Sequence, residues 1–118
     1  MHSYRLRDIH AGIQALPVLP GQTVIVWSDL TMFGSCVDVE SKQELLQTFL
    51  DAFLSVLGDA GTLVVPTWNT DIASSGEPFS YEDTPSRAGV FSEYVRTRPG
   101  AVRSLHPLVS YCQEDGNL

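Results

Sequence analysis

Between Phe79 and Pro107 the chain reads FSYEDTPSRAGVFSEYVRTRPGAVRSLHP, and most of its chemistry-bearing side chains gather there. Arg103, Ser104 and His106 set a permanent cation, a hydroxyl and an imidazole close together. An imidazole titrates near neutral pH and moves protons, whereas a guanidinium stays charged and donates in a fixed fork. Arg87 adds a second cation, and Asp71, Glu77, Glu82 and Asp83 crowd the polar stretch before it. Such groups could neutralise a phosphate, donate to a carbonyl gaining negative charge, or attract a cationic amine. Plainer roles stay open for each. Arg87 could pair with Asp83 across a turn, His106-Pro107 could simply constrain the backbone, and the loop carboxylates could be solvated. His2 and His10 have no such company and read as incidental.

Other chemistries lack their signatures. The chain has no P-loop, no dinucleotide glycine fingerprint, no HExxH, no Gly-x-Ser-x-Gly elbow and no Arg/Gln-x-x-Gly-x-Gly/Ala phosphate loop. Cys36 and Cys112 stand far apart without CxxC or CxxH spacing, so they read as free thiols, and no metal is expected. Nothing local supports a Cys36–His106 nucleophilic pair.

The elements that must carry these residues are legible from period and punctuation. Leu6, Ile9, Ile13 and Leu16 recur at helical spacing, predicting an amphipathic helix from about Tyr4 to Leu16. Pro17 and Pro20-Gly21 stop it, and Thr23 to Trp27 is a β-branched, apolar run expected as a buried strand. Ser28 to Val39 is a loop. Ser41-Lys42-Gln43-Glu44 is a capping box for a helix whose apolar stripe runs from Leu45 to Leu57, with Gly58 closing it. Thr62 to Val65 is a second buried strand, and strand, helix and strand in that order predict a parallel βαβ unit. Asn69 to Asp83 is long and polar enough for a functional flap. Thr84 as N-cap and Pro85 at the first helical position start a helix with Ala88, Phe91, Tyr94 and Val95 on one face, ended by Pro99-Gly100. Leu108 to Cys112 reads as a third strand, and Gln113 to Leu118 as a fraying tail.

Tyr81, Asp83-Thr84-Pro85-Ser86-Arg87-Ala88-Gly89, Arg98-Pro99-Gly100-Ala101-Val102-Arg103-Ser104 and His106-Pro107 resemble the ordered motifs of the aminoglycoside 3-N-acetyltransferase family. Pro20 to Val26 and Gly61 to Thr67 match two upstream blocks of it. The resemblance implies acetyl transfer from acetyl-coenzyme A to an amino group of an aminoglycoside or related amino sugar, and hence a resistance role. The loop Ser28, Leu30, Thr31, Gly34 resembles the family's pantetheine-binding turn, with Trp27 and Asp29 departing from its usual His and Ser. With it go Thr67, Arg87, Arg103 and Ser104 as cofactor-binding residues, Asp71, Glu82 and Asp83 as substrate-binding residues, and His106 as the catalytic candidate. The family's usual base belongs to a downstream Thr-x-x-His motif that these 118 residues do not contain. The expectation is therefore an incomplete family fold with little turnover of its own, or a non-catalytic remnant that binds coenzyme A or a partner.

Composition sets the outer bounds. With 118 residues, 43% hydrophobic and 18% charged, the chain is expected to form one globular α/β domain over 1–118. The expected arrangement is layered α/β/α around a mixed sheet. A net charge of −7 disfavours nucleic acid and anionic membranes and favours a cationic small molecule. The charged N-terminus and the absence of a long apolar run point to a cytoplasmic protein. Apolar sheet edges left without partners would favour a homodimer.

Overall fold

The structure is a computed structural model and describes residues 3–104 and 111–115, with side chains described except at Thr31, Met32, Ala73 and 111–115. In chain order it forms β1 (Ser3–Tyr4), α1 (Leu6–Gln14), β2 (Thr23–Ile25), a 3-10 turn (Leu30–Phe33) and β3 (Ser35–Cys36). Then come α2 (Lys42–Leu57), β4 (Thr62–Pro66), α3 (Asp71–Ser75), α4 (Val90–Arg96), β5 (Val102–Arg103) and β6 (Tyr111–Asp115).

The βαβ unit is present as read. β2 and β4 pair in parallel with Thr23 opposite Thr62 and Ile25 opposite Val64, and α2 makes the crossover. Helix α2 begins where its capping residue requires: Ser41 Oγ accepts from Glu44 N–H at 3.1 Å. The returning carboxylate bond lands one residue early, on Glu40 N–H at 3.1 Å. Gly58 ends the helix at φ 69°, a backbone angle that a side chain disfavours.

The mixed sheet runs β2-β4-β6-β5, with β6 antiparallel to both its neighbours, and β1 pairs with β3 in a separate parallel ladder. One hydrophobic cluster joins Ile9 and Ile13 of α1, Leu46, Leu50, Phe53 and Leu57 of α2, Leu63 and Val65 of β4, and Phe91, Tyr94 and Val95 of α4. Leu57, Leu63, Val65 and Val95 are fully buried, each contributing about 1.5–3 kcal/mol relative to exposure.

Four expectations need correction. The strand at Thr23–Trp27 is not buried: β2 lies at the end of its sheet, and Ile25 and Trp27 are 56% and 62% exposed. Helix α1 stops at Gln14, leaving Leu16 outside it and exposed. The loop after β2 holds the 3-10 turn and β3, because the β1 backbone offers Ser35 and Cys36 a partner. Residues 113–115, expected to fray, complete β6, while Leu108 to Ser110 lie outside the described residues.

The largest revision concerns Thr84. Helix α4 starts at Val90 with Gly89 at its N-cap, beyond the expected start, because tertiary bonds hold the intervening turn open. Thr84 Oγ1 accepts from Ser80 N–H at 2.7 Å, and Arg87 N–H donates to the Trp68 carbonyl at 2.9 Å. These bonds outweigh a local capping preference of about 1 kcal/mol. Past that start the expected apolar face holds: Phe91, Tyr94 and Val95 are buried.

Candidate functional site

Ligands of open α/β sheets gather where parallel strands end and loops begin. Here those ends are Trp27-Ser28-Asp29 after β2 and Thr67-Trp68-Asn69 after β4. The two indoles meet edge-on with ring centroids 4.7 Å apart, tying the loops together.

A third segment, Pro85 to Gly89, is bonded onto the same end of the sheet. Ser86 Oγ donates to the Pro66 carbonyl at 3.3 Å, Asn69 Nδ2 donates to the Pro85 carbonyl at 3.0 Å, and Arg87 N–H reaches Trp68 as described. Gly89 adopts φ 123° and ψ 161°, and a Cβ there would sit 3.1 Å from the Ser28 carbonyl oxygen. The glycine thus lets the start of α4 abut the loop after β2. Ser28 is half-buried and lines, with Leu30, a largely apolar cavity of about 740 Å³ beside β2. Gly34 turns the chain at φ 86° just after the 3-10 turn.

Arg103 is the most heavily engaged side chain of the region. It is 4% exposed, and its guanidinium donates to the carbonyls of Thr84 at 2.5 Å, Thr67 at 2.7 Å and Tyr81 at 3.3 Å. Its own N–H donates to Tyr81 Oη at 2.9 Å, and the Phe79 ring lies beneath its charge at 4.9 Å. The fork therefore pins the loop Phe79–Thr84 to the end of β4, a task well matched to a planar multi-donor cation. Ser104, next along, is exposed.

The acidic residues divide. Asp71 and Asp83 line a groove of about 500 Å³ together with Asn69, Ser80 and Arg87. Arg87 pairs with Asp71 at 3.4 Å, both well exposed, rather than with Asp83. Glu82 stands outside that groove, its carbonyl accepting from Arg96 at 2.8 Å. The side chain of Thr31 and all of His106 lie outside the described residues. Cys36 is a free thiol. Among the described residues no His, Cys, Asp and Glu group could hold a metal ion, and no helix is long and apolar enough to cross a membrane.

Sequence reasoning missed Asn69 and Glu93. Asn69 bonds both ways, its Oδ1 accepting from Asp71 N–H at 3.0 Å. A polar amide three residues past a buried strand was the available signal. Glu93 accepts from Ser86 N–H at 3.0 Å and from the Arg96 guanidinium at 3.0 Å, so α4 grips the turn before it. Burial pushes the Glu93 carboxyl up, but the bonds from Arg96 and Ser86, with the charges of Arg96 and Arg103, hold it below its ordinary value. A depressed carboxylate stabilises the fold above the unfolded-state value and loses that contribution as pH falls through the folded one. Acid unfolding of the wild type should therefore begin as pH drops below the ordinary glutamate range. In Glu93→Gln, thermal melts across that window should show a flatter dependence on pH.

The geometry defines an α/β fold in which loops from the ends of a parallel strand pair and the Pro85–Gly89 segment are bonded together. Residues 25–113 match the family model for aminoglycoside 3-N-acetyltransferase, and the chain belongs to that family. Several solved structures share the fold. YokD from Bacillus subtilis superposes with a TM-score of 0.76 at 23% identity, over 93% of this chain and 49% of its own. Aminoglycoside acetyltransferase AAC(3)-Xa gives 0.75 at 28%, over 94% of this chain and 43% of its own. A mutant of AAC(3)-IVa in complex with a gentamicin gives 0.72 at 26%, over 98% of this chain and 41% of its own. The chain thus spans less than half the length of each. No curated protein matches it.

Proposed function

We propose that this chain supplies the cofactor- and substrate-facing loops of an acetyl-coenzyme A-dependent N-acetyltransferase for an aminoglycoside or related amino sugar. The observation that carries the reading is the bonding of Pro85–Gly89 onto the end of β4 and against Ser28. That arrangement gathers the family's three matching loops at one edge. The gentamicin complex of AAC(3)-IVa and a further fold neighbour titled as AAC-IIIb binary with CoASH support the ligand classes.

The residues present suit a phosphopantetheine thioester. Ser28 offers a hydroxyl beside an apolar cavity, Thr31 belongs to the 3-10 turn that Leu30 and Gly34 help shape, Thr67 is buried just past the end of β4 and acts through the backbone, and Ser104 is exposed. Arg87 is a solvent-facing guanidinium for phosphate, whereas Arg103 enters through the loop it holds. Acetyl-coenzyme A, when bound, supplies the activated acyl carbon. An amine must shed a proton before its lone pair can attack, and His106 is the proposed acceptor. Asp71 and Asp83 in the groove draw the polycation in, with Glu82 adding negative charge from outside it, and cytoplasmic placement goes with this cosubstrate.

The test is calorimetric titration of the folded 118-residue chain with coenzyme A, then labelled acetyl transfer to a panel of amines. Binding is expected, weakened by Ser28→Ala and Arg87→Ala. Failure of the folded chain to bind coenzyme A would sink the reading. A second reading is a non-catalytic protein that binds coenzyme A or a partner. Binding without transfer to any amine selects it.

A further inference from the structure

The segment Pro85–Gly89 and the start of α3 bring opposite charges to one groove. Arg87 Nε stands 3.4 Å from Asp71 Oδ2, with the two side chains 61% and 73% exposed. Their backbones are fixed where their tips are not. Arg87 N–H donates to the Trp68 carbonyl at 2.9 Å. Asn69 joins the two segments: its Oδ1 accepts from Asp71 N–H and its Nδ2 donates to the Pro85 carbonyl, each at 3.0 Å. An ion pair this exposed shifts an equilibrium by no more than about fivefold, so either partner can exchange it without unfolding anything. Asp83 lines the same groove, but its Oδ2 accepts from the Ser80 hydroxyl at 3.4 Å.

One guanidinium thus answers two demands. A phosphate must draw Arg87 off Asp71, and an ammonium must displace Arg87 from Asp71. Whichever ligand arrives first breaks the pair, and the second finds its own partner already released. The pair therefore opposes only the first ligand, and linkage makes the benefit mutual.

We propose that the Asp71–Arg87 pair couples the two ligands of this site. Arg87 is a tethered cation that occupies the amine's carboxylate until the cofactor's phosphate withdraws it. The inference rests on the coenzyme A and amine reading above, and adds that each ligand tightens the other. The enhancement is about two- to fivefold at low ionic strength and shrinks as salt screens the pair.

Calorimetric titrations of the protein with coenzyme A and with gentamicin, each alone and with the other saturating, read this factor directly. In Asp71→Asn, coenzyme A alone should bind about two- to fivefold tighter and gentamicin more weakly, and the enhancement should largely disappear. Arg87→Ala should do the reverse, weakening coenzyme A and tightening gentamicin. Asp83→Asn carries the same change of charge in the same groove as Asp71→Asn, and should weaken gentamicin while keeping the wild-type enhancement. Direct attraction between bound phosphate and bound ammonium survives in both asparagine variants, so the difference between them isolates the pair. Circular dichroism matching the wild type shows that all three variants are folded. An enhancement equal in Asp71→Asn and Asp83→Asn, or none in the wild type, overturns the proposal and leaves the acetyltransferase reading standing. Binding of coenzyme A without gentamicin overturns the proposal likewise. A folded protein that binds no coenzyme A sinks the acetyltransferase reading as well.

Discussion

Arg103→Ala is expected to lower the stability of the domain by about 3 kcal/mol or more, with a fall in melting temperature of roughly 10 °C. The guanidinium donates to three carbonyls from two separate segments, Thr67 at the end of β4 and Tyr81 and Thr84 in the loop. Its removal leaves buried acceptors without those donors, and each such loss costs on the order of 1–3 kcal/mol. It also removes the cation resting on Phe79. Arg103→Lys should recover only part of the loss, because one ammonium cannot span three carbonyls in a planar fork. Thermal and denaturant unfolding measure the effect. A variant that melts like the wild type but binds coenzyme A more weakly would instead assign Arg103 to the ligand.

Gly89→Ala is expected to cost about 2–4 kcal/mol and to disturb the site more than any neighbouring substitution. The backbone there, at φ 123° and ψ 161°, belongs to a region nearly confined to glycine, and holding alanine in it costs about 1–3 kcal/mol. The added Cβ would also press on the Ser28 carbonyl at 3.1 Å, against backbone rather than a yielding side-chain tip. Relief requires the loop after β2 and the start of α4 to part. Coenzyme A affinity should therefore fall further than global stability alone explains. Gly12→Ala is the matched control: it lies within α1 with open space around the new methyl and should be neutral or stabilising.

What the sequence disclosed depended on the range of the forces involved. Helix α2 was legible because its stop and start are local: Ser41, Glu44 and Gly58 act within a turn, and the apolar stripe repeats inside the helix. The parallel pairing of β2 and β4 followed from two apolar runs flanking that helix. The exposure of Ile25 was not legible, since a β-branched run reads alike whether its sheet continues on one side or both. Nor was the true start of α4, where Ser80, Trp68 and Asn69 act across the chain on the turn before it. In the candidate site, motif matching singled out Ser28, Thr67, Arg87 and Arg103, and the structure sets them near the ends of β2 and β4. The motifs gave no sense that Arg103 faces inward, because burial is a property of the packed loops. Glu82 was grouped with Asp71 and Asp83 by proximity in sequence, and the turn carries it away.

In the four-stranded sheet, spatial order departs from the order of synthesis: β6, made last, lies between β4 and β5. While the ribosome is still translating the segment after β5, one side of β4 has no strand beside it, and β5 touches no other strand of the sheet. The nascent chain can assemble β2, α2 and β4 early, because those contacts are already in hand. Closure must wait for Tyr111–Asp115 to slide into the gap. The sheet is therefore closed late, as an arch is by its keystone, and a stalled ribosome in this stretch would leave a sticky half-sheet for chaperones to shield.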